Sequence, residues 1–207
     1  TRSASGYSIS PGHPPSGGIF YVIDAHASQG EDLREYPMLS AHETYPGHHL
    51  MDISRWSLKR SCRRTVEQPI VYEGWACFAE ELMKLTGYFD GPADRLLLAR
   101  RRLWRAVRGR VDIGLQTGTI DIPEAAEYLK KTGIDEKRAI GLARRYPLNP
   151  GYQQCYTIGL RRFLNLFDTY GRDDKRRFVQ TVLGQGEIGF TSLERVLGSA
   201  SHRKGNG

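Results

Sequence analysis

The sequence predicts a mainly α-helical fold with a short β-strand or hairpin near the N-terminus. Beyond residue 32, apolar residues recur at three- and four-residue intervals, the spacing of a half-buried helix. Pro69, Pro92 and Pro150 stand where such runs open, and Gly87, Gly133 and Gly171 where they close. The single strand-like run is GGIFYVID at 17–24, short, apolar and aromatic behind a Pro/Gly turn cluster.

The elements follow in order. Residues 1–17 are polar and turn-rich and read as a flexible arm, and 17–24 read as a strand. A helix is expected over 33–44, with Leu33, Tyr36 and Leu39 at helical spacing and Pro37 disturbing its start; it resumes over 47–58 after Pro46-Gly47. Further helices are expected over 69–86 and 92–115, over the IPEAAEYLKKTG stretch with Asp121 as N-cap and Gly133 as stop, and over DEKRAIGLARRY up to Pro147. A long one then runs from Pro150 to Gly171, and two short ones cover 175–183 and 192–197. The 207 residues suffice for one substantial core or two small ones, and a single domain is expected.

Composition narrows the function classes. Hydrophobic residues make up 39% and mean hydropathy is −0.50, with no apolar run near the ~18–20 residues of a membrane span. Cys62, Cys77 and Cys155 are far apart and odd in number, which argues against a disulfide framework and for a cytoplasmic, reducing location. A start after a removed upstream signal or lipoprotein anchor is compatible with the same sequence. The net charge is +7, concentrated in KRSCRR, RRRLWRAVRGR and DDKRR. Such runs suit phosphates, but no aromatic-basic interleaving or zinc-finger spacing accompanies them, so the expectation is a solvated helix face and nucleic acid is the minor reading.

The chemistry concentrates in HETYPGHHL, residues 42–50. His-Glu-x-x-His binds zinc because residues four apart share a helix face. Here His42 is followed by His48 and His49, six and seven residues on. In an unbroken helix the sixth residue points away, and the seventh lies about 10.5 Å along the axis, against metal–nitrogen bonds of about 2.0–2.1 Å. The helix must break between the ligands, and Pro46-Gly47 sits where the break is needed. The bland alternative is a capping His42 and an unrelated exposed pair. A second block, YEGWACFAEELM at 72–83, places Glu73 and Glu80 seven apart on one face among apolar neighbours, a setting for a metal or polar network; Glu81 reads equally as an exposed flank.

These blocks, with RRYPLNPGYQQCYTIG at 144–159, resemble the domain of unknown function 885 family, whose pattern is H-E-x-x-P-G-H-H, E-G-W-A-x-(Y/F)-x-E, R-Y, then P-G-Q-x-x-x-Y and G. Departures are Met51 for the usual Gln, and Tyr152 then Gln153 after Pro-Gly. The resemblance implies a zincin-like helical fold, of which this chain is the C-terminal, metal-bearing half. By similarity to thimet oligopeptidase, angiotensin-converting enzyme and dipeptidyl peptidase III, it implies Zn2+ on His42, His48 and Glu73, with Glu43 as general base. His49 becomes an alternative ligand or a neighbour of the ligands. Tyr156 falls where related peptidases hold the developing oxyanion, and Glu80 is placed to orient a ligand histidine through its second ring nitrogen.

Arg145 and Tyr146 suit a substrate carboxylate or phosphate, and the strand bearing Tyr21 suits pairing with an extended substrate. The expected function is zinc-dependent hydrolysis of peptide or related amide bonds. The alternatives are a catalytically inactive metal-site binding or assembly module and a basic helical nucleic-acid binder. Expected partners are a peptide-like substrate and either an N-terminal helical half or a second copy of the chain.

Overall fold

A computed structural model describes residues 6–9, 18–21 and 35–202 of the chain. Two strands, β1 (Gly6–Ile9) and β2 (Gly18–Tyr21), pair antiparallel with Gly6 opposite Tyr21 and Ile9 opposite Gly18. Part of the stretch expected to be an arm is therefore β1; the rest of 1–17 lies outside the described residues, as do 22–24 of the expected strand. β1 is the only strand partner of β2 among the described residues.

Ten α-helices follow among the described residues: α1 (Tyr36–Glu43), α2 (His48–Trp56), α3 (Cys62–Thr65), α4 (Pro69–Leu85), α5 (Pro92–Gln116), α6 (Ile122–Lys130), α7 (Glu136–Arg145), α8 (Gln154–Tyr170), α9 (Lys175–Leu183) and α10 (Phe190–His202). The mainly α expectation holds, and the deviations have identifiable causes. Pro37 lies in the first turn of α1, where a missing N–H costs nothing, so it starts that helix instead of disturbing it. Residues 33 and 34 lie outside the described residues. α8 begins at Gln154, not Pro150, because Gly151 takes φ +77° and the Asp112 carboxylate accepts from the N–H groups of Gly151 and Gln153 at 3.2 and 3.0 Å. Asp121 caps α6 as expected, with Glu124 closing a reciprocal box, and Gly133 stops the segment at φ +93°. α3 is a single turn that sequence periodicity does not register, and α10 extends well beyond 192–197.

The core is built around α4 and α8. Contacts advance together along both helices, Glu73 with Tyr156, Gly74 with Gly159, and Phe78 with Phe163 and Phe167, so the two run in the same direction. Phe78 is fully buried within 5.5–5.8 Å of the rings of Trp75, Phe163, Phe167 and Phe178. α9 and α10 close this cluster with Phe178, Val182, Leu193 and Leu197. A second cluster joins α5, α6 and α7 around Val111, Leu129 and Ala139, and a smaller one seats Met38 and Ala41 of α1 against Leu97 and Leu98 of α5.

The α4–α8 crossing depends on two glycines. A Cβ on Gly74 would stand 2.6 Å from the Gly159 Cα, and one on Gly159 would stand 2.4 Å from the Ile70 carbonyl oxygen. Both obstacles are backbone, so neither yields by a side-chain turn. Gly159→Ala is expected to destabilise the chain by about 1–3 kcal/mol through forced separation of the helices. Urea denaturation measures this; an unchanged midpoint would mean the crossing has slack.

Candidate metal centre

Five helices converge on His42, His48 and Glu73. His42 is in the last turn of α1, His48 is the first residue of α2, and Glu73 is in the second turn of α4. The break between α1 and α2 makes the histidines neighbours, their ring centroids 4.8 Å apart and nearly perpendicular. Gly47 permits it by being small: a Cβ there would lie 1.8 Å from the His42 carbonyl oxygen. Its φ is −79°, so the need is for close approach, not for a left-handed backbone. The Tyr45-Pro46 peptide is cis. Trp75 of α4 fixes the loop by donating its indole N–H to the Pro46 carbonyl at 2.9 Å.

His42, His48 and Glu73 are all buried, and one ligand atom from each falls within 4.8 Å of the others. Glu73 Oε2 is 3.6 Å from His42 Nε2 and 3.4 Å from His48 Nε2, yet it accepts no hydrogen bond, a buried orphan. Ligand atoms held about 2.0–2.1 Å from a tetrahedral ion stand about 3.3–3.4 Å apart. The donor types and these separations fit a zinc-sized cation. The other carboxylate oxygen, Oε1, accepts from both Tyr152 at 2.6 Å and Tyr156 at 2.8 Å. One oxygen is thus anchored by two phenols while the other faces the histidines. Burial and the neighbouring Glu73 charge raise both phenols well above the ordinary tyrosine value.

Around this cluster lies a charged shell. Glu80, 1% exposed, sets Oε1 2.9 Å from His42 Nδ1. Arg101 and Arg105 of α5 both grip that carboxylate, Arg101 at 3.0 and 2.9 Å, Arg105 at 3.0 and 2.5 Å. Burial pushes the Glu80 carboxyl up, but the two guanidinium charges outweigh it and hold it well below the usual range. Burial likewise opposes charge on His42, while Cys77, Glu73 and Glu80 together raise it well above the ordinary histidine value. Burial opposes ionisation of Glu73 as well, and the facing imidazoles keep its carboxyl well below the usual range. On the other side, His48 stacks on Tyr72 at 4.0 Å, whose hydroxyl donates to Asp52 at 2.9 Å, and Arg55 links Asp52 to Glu187.

The structure thus gathers His42, His48, Glu73, Glu80 and Tyr156 at one place. It puts His49 outside the cluster, half-buried with its ring 5.1 Å from that of Tyr45. Glu43 ends α1 beside His42, half-buried, with no hydrogen bond or ion pair among the described residues. Arg145 is exposed on the last turn of α7, and Tyr146 is buried in the α5–α6–α7 cluster, so this pair does not face the histidines as a unit. Tyr21 ends β2 opposite Gly6.

Sequence reasoning missed five participants. Tyr152 looked like a family departure, yet it is a direct hydrogen-bond donor to Glu73. Arg101 and Arg105 lay in a run expected to be a solvated face, and they point inward because Glu80 neutralises them. Asp112 was unremarkable and orders the turn before α8. Glu81, weighed as an exposed flank, is 4% exposed and paired with Arg102 at 2.6 Å. With these arginines committed to acids, less of the basic surface is free for phosphates.

Fold and site define a mainly helical protein with a His-His-Glu centre suited to a metal ion. The chain belongs to the family of bacterial proteins of unknown function DUF885, which it matches over residues 1–197. Among solved structures it is similar to "the putative lipoprotein from Colwellia psychrerythraea", at 25% identity and TM-score 0.83, over 96% of this chain and 35% of that one. It is also similar in fold to "a putative lipoprotein of unknown function from Shewanella oneidensis", at 20% identity and TM-score 0.75, over 93% of this chain and 38% of that one. The chain spans little more than a third of the length of these relatives. No curated protein matches it. No helix of the described residues is long and apolar enough to cross a membrane.

Proposed function

We propose that the chain is the metal-bearing, zincin-like part of a zinc-dependent hydrolase of peptide or related amide bonds. One observation carries this reading: His42 Nε2, His48 Nε2 and the unpartnered Glu73 Oε2 converge in a buried cluster. His42, His48 and Glu73 would hold the ion. Zinc, when bound, would supply Lewis-acid polarisation of the scissile carbonyl and a more acidic water. Glu43, adjacent to a ligand and unpaired among the described residues, takes the proton of the attacking water and returns it to the leaving amine. Tyr152 and Tyr156 hold Glu73 Oε1 so that Oε2 is presented inward. Because two phenols share one oxygen, Tyr156 can turn to the developing oxyanion while Tyr152 keeps the carboxylate in place. Glu80 holds His42 through Nδ1.

The test is Glu43→Gln. The variant should keep about one zinc per chain, as a three-ligand site requires, and lose at least about 10²–10³-fold in hydrolysis of a peptide library. Zinc retained with undiminished hydrolysis sinks the base assignment, and a wild-type chain that takes up no zinc sinks the reading. Zinc bound without hydrolysis in the wild type favours the second reading, a metal-site binding or assembly module. The three free cysteines are compatible with a cytoplasmic address, whereas the Colwellia psychrerythraea relative, described as a putative lipoprotein, favours a lipid-anchored one. Cell fractionation decides between them.

A further inference from the structure

Arg101, Arg105 and Arg108 lie on one face of α5, spaced four and three residues apart. The first two are neutralised by Glu80. Arg108 is half-buried and has no acid partner among the described residues. Its Nε and Nη2 both donate to a single oxygen, Gln153 Oε1. Gln153 is itself buried and fixed through its backbone N–H to Asp112. The guanidinium lies 4.4 Å from the ring centre of Tyr156, with the rings of Trp104 and Tyr146 at 5.7 and 6.0 Å. Among the described residues the fork makes no other hydrogen bond of normal geometry and meets no acid, although it stands close enough to the Tyr146 phenol to offset part of the rise that burial causes there.

Such a group is costly to leave unpaired, and the geometry of its fork matches a carboxylate. Tyr156 connects it to the centre, since the same phenol whose face carries Arg108 bonds Glu73 at 2.8 Å. The guanidinium is thus one tyrosine ring from the carboxylate. One or two extended residues, about 3.3–3.6 Å each, bridge that distance. Resting on the hydrolase reading above, we propose that Arg108 binds the C-terminal carboxylate of a short peptide, so that the chain acts on the C-terminal end of its substrate. Gln153 and the three rings aim the fork, and Tyr146, expected from sequence to contact substrate, acts here only as a wall of this aromatic box.

The experiment is equilibrium binding to the Glu43→Gln chain, which suppresses turnover. The probes are a trialanine peptide with a free C-terminus and the same peptide amidated. The free acid should bind at least about tenfold tighter, the low end for a charge-assisted pair. Arg108→Gln should bring the acid down to the level of the amide. Arg108→Lys, which keeps the charge but loses the fork, should keep only part of the preference, and circular dichroism of both variants checks that the fold is intact. Equal binding of acid and amide to the parent, no binding of either, or a preference that survives Arg108→Gln overturns the proposal. A preference that depends on Arg108 in a chain whose wild type hydrolyses nothing would leave the anchor standing and remove the hydrolase reading.

Discussion

Gly47→Ala is expected to remove metal binding and to destabilise the chain at or above the upper end of the about 1–3 kcal/mol typical of overpacking. The new Cβ would fall 1.8 Å from the His42 carbonyl oxygen and 2.5 Å from that of Ala41. These oxygens belong to the last turn of α1, which is held by the Thr44 N–H to Ser40 carbonyl bond at 2.8 Å. They cannot retreat without unwinding that turn. The Pro46-Gly47 segment must move instead, and it is tied to Trp75, fully buried, through the indole N–H. Moving it carries off His48, the first residue of α2, so local strain becomes loss of a ligand. Urea denaturation reads the first effect, and zinc content after dialysis against trace metal reads the second. Wild-type zinc affinity in a folded Gly47→Ala chain would mean that the α1–α2 break does not set the site.

That residue also marks how far the sequence can be read. The spacing of His42 and His48 demands a break, and Pro46-Gly47 supplies it, so the break is legible from composition and helix geometry. The reason for glycine is not, because the close approach is to a carbonyl five residues back and depends on the path of the loop. The same division runs through the site. Glu73 and Glu80 are legible as acids in an apolar helix face. Their partners are not, since Arg101 and Arg105 come from α5, a helix whose charged sequence is what a solvated surface also shows. Helix limits followed local chemistry where capping governs them, as at Asp121 and Gly133, and failed before α8, where a carboxylate from α5 stops the first turn. Long-range partners, not local propensity, decide those positions.

Glu80 is where the two kinds of information meet, and Glu80→Gln should be among the most damaging single changes in the chain. It leaves Arg105, 6% exposed, and the nearby Arg101 facing a neutral amide. Removing one partner of a buried charge cluster costs about 3–5 kcal/mol, because the remaining charge stays desolvated. It also replaces the charged acceptor at His42 Nδ1 by a neutral amide with one acceptor oxygen shared among three donors, and weakening of such an orienting group lowers metal affinity by up to about 10–100-fold. The two effects separate in one comparison. Replacing the whole cluster by Glu80→Leu, Arg101→Met and Arg105→Met removes the stranded charges and should recover most of the stability. It cannot restore the acceptor on His42, so zinc affinity should stay low. Thermal denaturation and chelator competition on the single and triple variants test both halves. If the triple variant regains wild-type zinc affinity, Glu80 serves the fold alone and His42 is oriented by something else.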